Sequence, residues 1–111
     1  MAAHEIRFIN ASGNPWSVVI FQPGPAHDGG VLAWRVIANA APGYQESFRF
    51  PGALLGADVL DAVQPGQIID EDALSDAAAV FPLDGIAAAD LVLGDGGGTV
   101  PEFSLQNVRD A

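Results

Sequence analysis

The chain has 111 residues, half of them apolar, and sets fourteen Asp and Glu against four Arg for a formal charge of −10. That length suits one domain able to bury about 65% of its unfolded surface. The charge repels phosphate backbones and anionic headgroups, so neither nucleic acid nor a membrane surface is an expected partner.

The predicted elements are β-strands. Residues 4–10, HEIRFIN, alternate, with His4, Ile6 and Phe8 on one face and Glu5 and Arg7 on the other, as in a half-buried strand. NASGNP follows as a turn, built from residues that tolerate or impose bent backbone. Residues 16–22, WSVVIFQ, are apolar on both faces, which predicts a central strand covered on both sides. PGPAHDGG is an irregular loop. Residues 31–37, VLAWRVI, form a third strand, with Leu32, Trp34 and Val36 expected on one face. After the turn ANAAPG, residues 44–50 form a fourth, with Phe48 and Phe50 inward and Arg49 outward, stopped by Pro51-Gly52.

The middle is less regular. ALLGADVLDAV (53–63) has helix-like spacing at Leu55, Val59 and Val63, but Gly56 costs a helix about 1 kcal/mol. The expectation is irregular structure with one short strand. A short strand at Gln67–Ile69 and then a turn or a single helical turn are expected next. AAVFPL and ADLVL read as strands separated by DGIAA, with GDGGG (94–98) as a hairpin loop into TVPEFSLQNV. Pro101 lacks a ladder donor, so that last strand should start at a sheet edge or a bulge. Short strands at near-regular spacing with Gly/Pro turns predict an all-β fold, a small antiparallel β-sandwich over residues 1–111, with a partly open β-barrel as the alternative.

Catalytic chemistry has little to stand on. Nucleophilic catalysis needs a nucleophile beside a base and an orienting acid, yet the only histidines are His4, near the terminus, and His27, in the 23–30 loop beside Asp28. No G-x-S-x-G elbow occurs. Cysteine is absent, which excludes disulfides, thiol nucleophiles and Cys-ligated zinc. Asp70, Glu71, Asp72 and Asp76 offer hard oxygen ligands, but Leu74 and Ser75 stand where an EF-hand loop needs an oxygen donor and a glycine, so a solvated acidic turn and no metal are expected. GDGGG lacks the Lys and following helix of a phosphate loop and reads as a turn.

The aromatic residues are the remaining candidates. Trp16, Phe21, Trp34, Tyr44, Phe48 and Phe50 all fall in the first half of the chain. Their plainer role is core. Trp16, Trp34 and Phe48 could also wall an apolar ligand site, with Gln22 as a sparing polar group; the plainer role of Gln22 is to cap loop backbone.

The stretch FINASGNPWSVVIFQPGPAHDGGVLAWRV resembles the start of the rhizosphere-induced RhiA-like proteins of bacteria. The residues that carry the likeness are Asn10, Ser12, Gly13, Trp16, Gln22, Pro23, Leu32, Ala33 and Trp34, and it spans residues 6–50. Where those proteins have a further Trp-rich strand, this chain reads SFRFPG. The resemblance implies an all-β, sandwich-like bacterial protein, with no catalytic residues to carry over.

The functional expectation is a non-enzymatic binding or interaction module, without cofactor. The alternative is a small β-scaffold enzyme or ligand-binding protein that works through an aromatic-lined apolar pocket. A cytoplasmic location is expected, since MAAHEIRF has no basic leader followed by a long apolar run, and no apolar stretch approaches about 18 residues. A homo-oligomer is expected because Val19 and Phe21 would face away from a core holding Trp16, Val18 and Ile20. Their cover must be the 51–80 segment or a second subunit. A small apolar ligand or a protein partner completes the list of expected partners.

Overall fold

The alternating and doubly apolar segments become nine strands in the computed structural model, which describes residues 3–23, 29–96 and 100–111. They are β1 (His4–Asn10), β2 (Trp16–Pro23), β3 (Gly30–Ala40), β4 (Gln45–Phe50), β5 (Leu54–Val59), β6 (Ile68–Asp70), β7 (Ala79–Pro82), β8 (Ile86–Gly94) and β9 (Glu102–Asp110). A one-turn 3-10 helix, Glu71–Ala73, follows β6. The expectations placed on His27, Asp28, Gly97 and Gly98 lie outside the described residues.

Two sheets form, in the orders β4-β1-β8-β9 and β6-β3-β2-β5-β7. Every neighbour pair is antiparallel except β1 with β8, which is parallel. The sheets pack face to face as a sandwich and neither closes into a barrel. Between them lie Ile6 and Phe8 of β1, Val18 and Ile20 of β2, Phe48 and Phe50 of β4, Leu55 of β5, and Leu91 and Leu93 of β8. This is the set that period-two alternation sends inward.

β2 is the central strand of the five-stranded sheet, and both its faces are buried, as its composition predicts. Val18 and Ile20 enter the main core, while Val19 and Phe21 join Val31, Ala33 and Ile69 in a second apolar layer on the outer face. The cover for that layer comes from the same chain: Leu60, Val63 and Leu74 pack onto it. Val19 and Phe21 are thereby fully shielded, and they give no reason for a second subunit.

Two sequence expectations are corrected in detail. Trp34 and Val36 do not share a face. Phe21 pairs with Ala33 and Ile20 with Arg35, so Trp34 is the extra residue of a β-bulge. Trp34 therefore packs against the main core and Val36 against the outer layer. The one short strand expected within residues 53–63 is β5, which pairs on both sides, with β2 and β7. Gly56 there serves a close approach: a Cβ at that position would lie 2.2 Å from the Phe21 ring. Second, β8 begins at Ile86 rather than at Ala89. Alanines carry little β signal of their own, and pairing with β1 and β9 supplies what propensity lacks. β9 is an edge strand beginning just after Pro101, as the proline required.

Two buried polar residues tie the segments together. Asn10, fully buried, ends β1. Its amide nitrogen donates to the carbonyls of Asn14 (3.0 Å) and Ala40 (2.9 Å), and its Oδ1 accepts from the Ser12 backbone N–H (3.0 Å) and hydroxyl (2.6 Å). The Asn10 backbone N–H donates to Tyr44 O, and its carbonyl accepts from Gly43 N–H. One side chain thus joins β1, the 11–14 turn and the end of β3. Asp58, also fully buried, sits opposite Val19 on the outer face. Its carboxylate accepts from the backbone N–H of Val59 (2.8 Å), the backbone N–H of Ser75 (2.7 Å) and the Ser75 hydroxyl. It clasps the covering segment from below.

Candidate functional site

The four aromatic and amide candidates from the sequence are distributed along the sandwich. Trp16 opens β2 and Gln22 lies near its other end, so six residues, roughly 20 Å of strand, separate them. Trp16 is half-buried against the core, opposite Ala40, and its indole N–H is buried without a hydrogen-bond partner among the described residues. Trp34 and Phe48 do meet. Their ring centroids are 5.4 Å apart and tilted by 50°, and Trp34 also meets Phe50 edge-on at 5.2 Å. Arg35 lies over the Phe48 ring at 5.6 Å and pairs with Glu46, which accepts from the Tyr44 hydroxyl at 2.7 Å. This cluster closes the flank of the sandwich between β3 and β4.

Trp34→Ala removes two aromatic contacts and opens that flank. For a half-buried Trp the expected loss is about 3 kcal/mol, at the low end for truncating a large aromatic residue. Thermal denaturation should show a fall of roughly 12 °C or more. A Tm within about 2 °C of the parent would mean that the cluster contributes nothing to stability.

The outer face of the four-stranded sheet has a different chemistry. Alternation sends Glu5 and Arg7 of β1, Ser47 and Arg49 of β4, and Asp90 of β8 to this side, and Arg109 of β9 pairs opposite Ala88. Together they line an open pocket of about 380 Å³, floored by Ile6, Phe48 and Ala89, whose side chains belong to the core. Three of the chain's four arginines converge here.

The pocket is organised around Asp90, which is only 4% exposed. Arg7 donates to it through Nε (3.1 Å to Oδ1) and Nη2 (2.9 Å to Oδ2), a bidentate pair. Asn107 donates to Oδ2 at 2.8 Å. Asn107 has φ 50° and sits in a bulge of β9, where two steps along β8 match three along β9. The left-handed backbone that Asn tolerates is what brings its amide to the carboxylate. The hydrogen bond from Arg7 holds Asp90 below the ordinary carboxylate range against the opposing effect of burial. Asn107 and the charges of Arg7 and Arg109 pull the same way as that bond. By contrast, Arg49 and Glu5 pair at 3.5 Å with both side chains largely in solvent, and Arg109 makes no ion pair among the described residues.

A depressed carboxylate stabilises the fold above its unfolded-state pKa, and that contribution is lost as the pH falls through the folded-state value. Asp90→Asn should therefore be less stable than the parent near neutrality, and the gap should narrow in acid. Parallel pH–stability curves for the two proteins would show that the Arg7–Asp90 pair contributes no pH-dependent stability.

Glu5, Arg7 and Arg49 were already placed outward by the alternation of HEIRFIN and SFRF. Asp90 and Arg109 were not legible as partners. Their meeting depends on the parallel β1–β8 pairing and on the β9 bulge, neither of which has a local signal. Among the described residues, no three His, Asp or Glu side chains converge to hold a metal ion, and no helix is long and apolar enough to cross a membrane. The chain matches no family model, no curated protein and no solved structure.

Proposed function

We propose that the protein is a non-enzymatic binding module that presents the outer face of the β4-β1-β8-β9 sheet to its partner. One observation carries this reading: a strongly acidic chain gathers three of its four Arg on one sheet face, where they line an open pocket that no segment among the described residues covers. The opposite outer face is sealed by Leu60, Val63 and Leu74. The resemblance of residues 6–50 to RhiA-like proteins supports an architecture rather than an activity. Asn10 and Ser12, two of the residues that carry it, hold the turn together.

The test is a two-dimensional amide NMR screen of the whole chain against a panel of small anions, cations and aromatic compounds. Shifts should map to β1, β4, β8 and β9. Shifts confined to residues around Trp16 and Trp34 would replace this reading with an aromatic ligand site. Turnover of any panel compound would replace it with an enzyme.

A further inference from the structure

We infer that the pocket on this face binds a small organic monocarboxylate with an apolar body, held between Arg109 and Arg49. The inference rests on the proposed binding face and names the chemistry it takes.

The charges set the valence. Three guanidiniums face two carboxylates, Glu5 and Asp90, which makes a locally positive spot on a molecule of formal charge −10. One carboxylate balances that spot. A dianion would meet the repulsion of the remaining acidic surface.

The donors set the shape. Asp90 takes the Nε–Nη2 edge of Arg7 and fixes that side chain. The Arg49–Glu5 pair is long and exposed, and such pairs exchange readily for a better partner. Arg109 is free of ion pairs among the described residues. Two planar forks are therefore available, and a fork matches the two oxygens of a carboxylate. A fork also fits two phosphate oxygens, so the forks alone do not choose between the two ligands; the second charge of a phosphate and the lack of free backbone N–H groups disfavour it. Here β1 and β8 are bonded on both sides, so their backbone donors are committed to the ladders.

The apolar body follows from the row beyond Arg7 and Asp90. Ile9 pairs with Val92 on this same outer face; both are half-buried, and neither belongs to the core clusters. Arg49 and Arg109 lie on the row of Glu5 and Ala88, four residues or about 13 Å before this strip, so a hydrocarbon chain of about eight carbons whose carboxylate lies between them would run past Arg7 and Asp90 to the side chains of Ile9 and Val92.

The experiment titrates the protein with octanoate, octanamide and inorganic phosphate at low ionic strength, read by amide NMR shifts, and repeats this on Arg109→Ala and Arg49→Ala. Both variants should keep the parent's Tm, since neither side chain lies in the core. Octanoate should shift β1, β4, β8 and β9, and bind at least tenfold more weakly to each variant. Octanamide and phosphate should produce no saturable shift. Equal binding of octanamide, or of phosphate, would overturn the carboxylate assignment, as would octanoate binding unchanged in both variants. If other panel compounds map to this face while octanoate does not, this inference falls and the binding-face reading stands. If nothing maps there, both fall.

Discussion

Asn10→Asp should lower stability at pH 7 by about 3–5 kcal/mol, although it changes only an amide nitrogen to an oxygen. Asn10 is fully buried, and its amide donates to the carbonyls of Asn14 and Ala40. A carboxylate would face those two carbonyls with no hydrogen to offer and would be a buried charge without a cation. Stranding a buried charge in this way costs several kcal/mol, a large part of a typical domain's stability. The pH dependence identifies the cause. A protonated carboxyl can donate to one of the carbonyls, so the folded variant holds a proton more tightly than the unfolded chain does. Its deficit against the parent should narrow as the pH falls and widen as it rises. Chemical denaturation across this range measures both. A variant as stable as the parent at pH 7 would show that the Asn10 amide is not the tie between β1, the 11–14 turn and β3.

Asp58→Ala should have the second large effect, and a local one. The Asp58 carboxylate accepts three hydrogen bonds, two of them from Ser75. Removing it strands the backbone N–H groups of Val59 and Ser75, for an expected loss of about 3 kcal/mol. The segment it clasps carries Leu60, Val63 and Leu74 over Val19 and Phe21. Segments held by few contacts open locally before the whole domain unfolds. Hydrogen exchange should therefore quicken at residues 60–76 more than in β1 or β8. The uncovered apolar layer should bind a hydrophobic dye, and sedimentation should show the variant associating more strongly than the parent. Unchanged exchange at 60–76 would mean that apolar packing alone holds the cover.

Composition and periodicity by themselves determined the β class, the turns and most of the core. Ile6, Phe8, Val18, Ile20, Phe48 and Phe50 are inward because alternation is a local property of the chain, and a buried face needs nothing further to declare it. The doubly apolar run at β2 likewise announced a central strand. What covers its outer face was not local. Leu60, Val63 and Leu74 are scattered through an irregular segment with no period, so only the folded chain shows that they, rather than a second subunit, shield Val19 and Phe21. Bulges escaped for a related reason. One extra residue at Trp34 reverses the facing of everything after it, and no residue type marks the spot. The charged pocket was half legible. Glu5, Arg7 and Arg49 could be placed outward by alternation, but Asp90 came to Arg7 through a parallel pairing across more than eighty residues, and Asn107 reached it through a β9 bulge. Side-chain direction is encoded strand by strand, whereas the order of strands in a sheet depends on how whole faces pack, and that order alone brings three arginines to one place.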